Sequence, residues 1–336
     1  MKITIVVLAI IMQVSLPVFA GEFAFRVRVI DENNQPVSNA TVNLDILPNL
    51  LMPTAKKLHE LTDTNGMWAY QGSYGGGVDW GVDKAGYYQT GGDKLVFTNM
   101  PVQGRFEPWN KLYEIQLRLK NNPIPMYARH TGMENPPLKI PEFGKPIGFD
   151  LIKSDWVAPY GKGETPDFIF CVATTNSAIP DSYYKEVPRA PQWKDMTASL
   201  VFANDGDGLL CVIDVLRSRG SIFRLPRYAP ESGYESNLLR SCRGIWTNGT
   251  INLVGDQWNE NQNYIFRVRS QRDQNGAITN ALYGKIRGPI EFHPGGDVIF
   301  TYYLNPTPND RNLEYDASHN LLKAVLGYRE APPRGP

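Results

Sequence analysis

Chemistry in this chain would have to come from few residues, because its 336 positions hold only four histidines and three cysteines. His59-Glu60 has the opening of a zinc-protease helix motif, in which two histidines four apart hold the metal and the glutamate acts as base. Position 63 is Asp63 and the flanking residues are strand-like, so that site is not expected. His130 follows Arg129, His293 precedes Pro294-Gly295-Gly296-Asp297, and His319 sits in a polar stretch. None has a partner at catalytic or metal-ligand spacing. Gly72-Ser73-Tyr74-Gly75 misses the nucleophile elbow, since its serine directly follows the first glycine. No phosphate loop and no dinucleotide fingerprint occur. Paired carboxylates stay open, because glycosidase acids come from distant strands and leave no local motif.

Asn204-Asp205-Gly206-Asp207-Gly208 gathers the oxygen ligands that calcium prefers. In EF-hand register, with Gly208 at position six, position one is Ala203, which cannot ligate. The better reading is a hairpin turn, with Asn, Asp and Gly supplying positive φ. Asp205 and Asp207 are kept as weak calcium candidates, and no other cofactor is expected. Cys171 and Cys211 lie in apolar strand-like runs and Cys242 in a polar one. Three cysteines exclude a disulfide framework and lack metal-site spacing, while free thiols and a single bridge both remain open.

The elements that must position such groups are strands. Aromatic residues make up 11% of the chain, and 30 Gly with 26 Pro indicate frequent turns. An apolar fraction of 42% is ample for a core. The 34 basic and 34 acidic side chains balance, so no cationic excess exists to neutralise phosphates and nucleic acid is not an expected partner. Lys2, the apolar run Ile3–Ile11 and Val18-Phe19-Ala20 read as a secretory signal over residues 1–20, cleaved before Gly21. The run is too short to span a bilayer and Pro17 interrupts it. The mature chain then carries 33 basic and 34 acidic groups and no membrane span. A secreted, periplasmic or cell-surface location follows.

Phe23, Phe25, Val27 and Val29 alternate with polar or small residues, as do Ala40, Val42, Leu44 and Ile46. That is the period of a half-buried strand. Turns at Asp31–Pro36 and Thr62–Gly66, and further strands at Met67–Tyr70, Val78–Val82, Leu95–Thr98 and Tyr113–Leu119, predict a seven-stranded antiparallel sandwich over residues 21–120. The stretches FRVRVIDENNQPVSNATVNL, LTDTNGMWAY and GVDKAGYY resemble the carboxypeptidase regulatory-like domain, a transthyretin-like β-sandwich. The resemblance covers about 80–100 residues, within the usual size of such sandwiches. It implies a non-catalytic scaffold or binding role and carries over no catalytic residue. Two features depart from the pattern, extra length at residues 48–57 and the run Gly75-Gly76-Gly77. Trp80, Tyr87, Tyr88 and Trp109 gather near the predicted loops and are the candidate ligand platform, since exposed rings stack on sugars or anchor proteins. The competing reading places them in the core.

Asn121–Pro125 breaks the pattern and reads as a linker. Residues 124–336 form a second, larger β-rich domain of unassigned type, opening with about forty Pro- and Gly-rich residues. Strand-like runs occur at 167–173, 198–203, 209–216, 264–270, 280–286 and 298–304, with hairpins predicted at Asn204–Gly208 and Arg272–Gly276. Short helices are expected only at Asp181–Val187 and Asn320–Leu326. The composite expectation is an all-β, exported, non-catalytic scaffold, adhesion or ligand-binding protein. Its partner would be an extracellular glycan or a surface protein. The alternative is a secreted polysaccharide-active enzyme or accessory subunit using carboxylates of the second domain.

Overall fold

The computed structural model describes residues 21–48, 54–74, 77–92, 97–98, 100–132, 137–177, 179–186, 194–213, 220–247, 250–255 and 261–322. The predicted signal at 1–20, Gly75-Gly76, Leu95-Val96 and residues 323–326 of the predicted second helix lie outside them. The chain divides into two compact units, residues up to Leu119 with Ser218–Ser221, and Lys120–Arg217 with Ile222–Pro336.

The first unit contains β1 (Glu22–Ile30), β2 (Thr41–Leu47), β3 (Lys56–Leu61), β4 (Met67–Ser73), β5 (Gly77–Asp83), β6 (Tyr87–Tyr88), β7 (Thr90–Gly91), β8 (Lys111–Gln116) and β9 (Arg118–Leu119). A three-stranded sheet, β4-β1-β8, and a four-stranded sheet, β3-β2-β5-β7, make the seven-stranded sandwich; β6 and β9 form a small separate pair. Its core follows from period two: Phe23, Phe25, Val27 and Val29 are fully buried, and so are Val42, Leu44 and Ile46. One pairing departs from the antiparallel expectation, since β1 and β8 run parallel, with Val27 opposite Tyr113. The two turns read from sequence are built by carboxylates. Asp31 Oδ1 accepts from the N–H groups of Asn33 and Gln35, and Asp63 Oδ1 from those of Asn65 and Met67. Gly66 has φ +71, and a Cβ there would stand 2.3 Å from the Val29 carbonyl oxygen. Only glycine fits that position.

The second unit contains β10 (Ile124–His130), β11 (Ile147–Asp150), β12 (Asp155–Trp156), β13 (Phe168–Asn176), the helix α1 (Asp181–Glu186), β14 (Lys194–Val201), β15 (Gly208–Ile213), β16 (Asn237–Thr247), β17 (Thr250–Gly255), β18 (Gln262–Arg272), β19 (Ile278–Ile286), β20 (Glu291–Phe292), β21 (Val298–Ile299), β22 (Thr301–Leu304) and β23 (Tyr315–Asn320). Two six-stranded sheets, β15-β18-β19-β22-β10-β23 and β12-β11-β13-β14-β16-β17, share one aromatic-rich core. Phe168 from one sheet meets Phe266 from the other edge-to-face at 5.1 Å. Residues 222–236 run without strands, and Ala229 among them packs with Ile265, Ala281, Tyr283 and Leu313 in a smaller cluster.

Three expectations need correction. Asn204–Gly208 is not a hairpin, because β14 belongs to one sheet and β15 pairs with β18 in the other. The Asp207 carboxylate accepts the N–H groups of Arg269 and Ser270, fixing the start of β15 against β18. Asn121–Pro125 is not wholly a linker, since β10 begins at Ile124; Pro125 falls where the β10–β23 register shifts, so its missing N–H costs no ladder bond. Asn320, the first residue of the expected helix Asn320–Leu326, is the last residue of β23, and Leu321 and Leu322 follow as a bend.

Candidate functional site

The four aromatic residues singled out in the first unit do not form one exposed platform. Trp80 lies on β5 and points inward, 9% exposed, edge-to-face with Phe25 at 5.5 Å and Tyr113 at 5.7 Å. Tyr88 is buried. Tyr87 is half-buried against the core, with Lys84 5.9 Å from its ring centroid. Trp109 is half-buried, and the Arg105 guanidinium stands 4.6 Å over its ring. The two calcium candidates also separate. Asp205 is exposed and pairs with Arg272 at 2.9 Å, whereas Asp207 is buried and occupied by the Asn204 amide and the two backbone N–H groups named above. A guanidinium on one carboxylate and neutral donors on the other suit a folded loop and do not fit a cation site. No group of three or more His, Cys, Asp or Glu with metal-site geometry occurs among the described residues.

An aromatic site not anticipated from sequence lies in the second unit. Phe143 is 45% exposed and Tyr160 39%. Phe143 sits in the turn 141–145, which Gly144 closes with φ +76 and an N–H donated to the Val172 carbonyl at 2.8 Å. Tyr160 sits on the loop 157–162. Glu142, the chain neighbour of Phe143, links this turn to the Tyr160 loop: its Oε2 accepts from the Tyr160 hydroxyl at 2.7 Å and its Oε1 pairs with Lys145 Nζ at 2.6 Å. The Lys145 ammonium, then the Tyr160 hydroxyl, hold the Glu142 carboxyl below the usual range, and the same bonds raise Lys145 and Tyr160. At neutral pH the site therefore offers two half-exposed rings, a carboxylate acceptor and an ammonium donor.

Three aspartates fix the loop that carries Tyr160. Asp155 Oδ2 accepts from Lys162 N–H and its Oδ1 from Trp156 N–H, both at 2.8 Å. A Cβ on Gly161 would come within 2.5 Å of the Trp156 carbonyl, so the loop closes this tightly only with glycine there. Asp150, buried, takes the N–H groups of Ile152 and Lys153 on one oxygen and those of Glu164 and Thr165 on the other, pinning both ends of the loop. Asp167, also buried, accepts from Leu151 N–H. Arg269 then binds Asp167 with Nε at 2.7 Å and Nη2 at 2.9 Å, and Asp150 with Nη2 at 3.1 Å. It reaches them because the β18–β19 register shifts after Val268, where Arg269 adopts φ +56. A bulge that re-aims a side chain is the usual origin of such a contact. Arg129 and the buried Tyr302 hydroxyl hold Ser154 from below.

Burial opposes the charge on Asp150, but the N–H groups of Glu164, Lys153 and Thr165, with Arg269, outweigh this and lower its pKa. Burial dominates at Asp167 and raises it. These two carboxylates are committed to the backbone and one guanidinium, so they brace the loop and do not present an acid–base pair to a substrate.

A depression of about 400 Å³ lies on the outer face of β13, β14 and β16, lined by Cys171, Ala173, Thr197, Ser199 and Ser241 with Leu239 and Arg240. It holds no carboxylate. Cys171, Cys211 and Cys242 are all free thiols.

No protein-family model and no curated protein matches the sequence. Among solved structures, the chain is similar to 3-chlorocatechol 1,2-dioxygenase from Rhodococcus opacus, with 13% identity over 30% of this chain and 60% of that one, at a TM-score of 0.20. It is also similar to BcpA, the major pilin subunit of Bacillus cereus, with 12% identity over 84% and 95% at 0.21. The shaft pilin SpaA from Lactobacillus rhamnosus gives 10% identity over 87% and 94%, also at 0.21. The chain thus spans less than two thirds of the dioxygenase's length. Likenesses this remote bear on neither mechanism nor ligand.

Proposed function

We propose that the chain is an exported, non-catalytic binding protein whose second unit takes carbohydrate through Phe143 and Tyr160, with its first unit as a carboxypeptidase regulatory-like scaffold. The observation that carries the ligand reading is the mounting of the two rings. The loop below one of these half-exposed rings is braced by three aspartates and an arginine. Such a mount limits the entropy lost on binding. Ring faces match the C–H faces of a pyranose, Glu142 can accept from a sugar hydroxyl, and Lys145 can donate to one. The scaffold reading rests on the quoted sequence stretches and on turns in which Asp31, Asp63 and Gly66 each have a definite structural task. Export rests on residues 1–20.

A panel of soluble and insoluble extracellular polysaccharides tests the ligand reading by pull-down and affinity electrophoresis. Retention on at least one glycan, weakened by Phe143→Ala and Tyr160→Ala, is the expected result. Absence of retention on every glycan, or retention indifferent to both substitutions, refutes it.

A further inference from the structure

The depression of about 400 Å³ is built from two rows of side chains that run straight across three strands. Cys171 of β13 stands opposite Ser199 of β14, and Ser199 opposite Leu239 of β16; Ala173 stands opposite Thr197, and Thr197 opposite Ser241. Opposed residues of an antiparallel pair share a face. The alternate residues Phe170, Val172, Ala198 and Leu200 are buried in the core, so both rows point outward. Small side chains make the hollow, and Leu239, 69% exposed, stands as its far wall. Among the described residues the hydroxyls of Thr197, Ser199 and Ser241 have no hydrogen-bond partner. The Arg240 guanidinium brings no charge to the hollow, because its Nη2 turns inward to the Tyr264 hydroxyl at 2.5 Å and to Gln262 at 3.2 Å in the other sheet.

The near end of these rows meets the site described above. Gly144 N–H donates to the Val172 carbonyl, so the turn bearing Glu142, Phe143 and Lys145 lies alongside β13 at the level of Cys171 and Ala173. The loop bearing Tyr160 folds onto the same face. Gly148 of β11 faces outward between the inward Ile147 and Phe149, and a Cβ there would stand 2.6 Å from Pro166 and 3.1 Å from Val157. We infer that Tyr160, the Glu142–Lys145 pair and the depression form one groove that binds a neutral, linear polysaccharide across the strands through an internal stretch of its chain, a reading that rests on the carbohydrate assignment of Phe143 and Tyr160. Three strand intervals from the β11 edge to β16, at about 4.8 Å each, give a groove about 14 Å long, more than one sugar ring covers. Unpaired hydroxyls on its floor can donate to and accept from the hydroxyls that every ring carries. A flat protein surface would leave the hollow unfilled and bury those hydroxyls without partners, which costs free energy. An acidic chain finds no unpaired cation there, since Lys145 is already matched by Glu142.

The test uses the chain from Gly21 onward, which contains every described residue, in affinity electrophoresis with hydroxyethylcellulose, galactomannan and amylose as neutral chains and polygalacturonate as an acidic one. Retardation by at least one neutral chain is expected, with that polymer bound about tenfold more tightly than its own disaccharide. Filling the hollow with Ser199→Tyr should weaken polymer binding about tenfold and leave disaccharide binding at the parent's value. Saturating polymer should also slow alkylation of the half-buried Cys171 by iodoacetamide about tenfold, read by peptide mass spectrometry, while the exposed Cys211 reacts as before. That protection is measured on the parent chain, so it decides the matter even where Ser199→Tyr does not fold. Retention that Phe143→Ala/Tyr160→Ala abolishes, with Cys171 alkylated equally fast in the parent's complex, would overturn the groove and keep the aromatic site. Absence of retention on every chain would remove both. Preference for polygalacturonate, a disaccharide bound as tightly as the polymer, a folded Ser199→Tyr variant that binds like the parent, or a dimer of the parent that this variant dissolves would each overturn the groove alone.

Discussion

Trp80 and Tyr160 make an instructive pair. Both are aromatic, only Trp80 is a ligand-surface candidate by its sequence setting, and their placements are opposite. Trp80 lies on β5 opposite Leu44 of β2, on the side of the sheet that period two turns inward. The pleat decides its burial. Tyr160 lies in no strand; its loop is held by backbone N–H groups on either side of it that donate to Asp150 and Asp155. In a β-sandwich an aromatic at an inward position stabilises, and one on a braced loop is free to bind.

Truncation should separate the two roles most sharply at the core. Trp80→Ala is expected to destabilise the first unit by about 3–5 kcal/mol, measured by denaturant unfolding, while glycan retention by the second unit persists. Removing the brace comes next. Asp167→Ala leaves Arg269 partly buried beside a single carboxylate, and a loss of about 3 kcal/mol is expected from chemical unfolding, accompanied by weaker glycan retention. That joint loss would tie the buried charges to the site; stability lost with retention intact would detach them from it.

The brace also carries a pH signature. Asp150 has a lowered folded pKa, so its stabilisation is complete above the ordinary 3.8 and is lost as pH falls through the lower folded value. Asp167 is raised and acts with the opposite sign, favouring the protonated folded form as pH falls through its folded value towards 3.8. Asp150→Asn should therefore flatten the acid limb of stability below pH 3.8, read from unfolding midpoints, at the cost of lower stability at neutral pH. Gly66→Ala, which places a Cβ 2.3 Å from the Val29 carbonyl, is expected to cost about 1–3 kcal/mol in the first unit alone. Tyr160→Phe is the mildest change. It removes the hydroxyl from Glu142 at an exposed site, so the unfolding midpoint should stay at the parent's value while the ring stays available to a ligand.

The sequence shows the first unit better than the second for a physical reason. β1 and β2 alternate strictly, and Asp31, Asp63 and Gly66 are local turn signals that act within four residues. The parallel β1–β8 pairing joins residues over eighty positions apart, as the Arg26–Asn110 bond shows, and leaves no local trace. In the second unit β10 follows Pro123 and carries Pro125 as its second residue, so its start reads as a break. β16 mixes Leu238-Leu239 with Arg240-Ser241-Cys242-Arg243, so no period stands out. The platform was invisible for the same reason as its brace. Tyr160 and Glu142 are 18 residues apart within a Pro- and Gly-rich stretch, and Arg269 meets Asp167 and Asp150 across 102 and 119 residues. Residue types named Trp80, Tyr88 and Asp207 as candidates, and burial turned each of them to structural use.

The central claim is that Phe143 and Tyr160 form the ligand surface and Trp80 does not. Affinity electrophoresis through gels containing the glycans retained in the panel tests it most directly, comparing the parent chain with Phe143→Ala/Tyr160→Ala. The expected result is retardation of the parent and an apparent affinity about tenfold weaker in the double variant, equivalent to about 1.4 kcal/mol, with both proteins melting alike. Equal retardation of the two folded proteins would contradict the assignment.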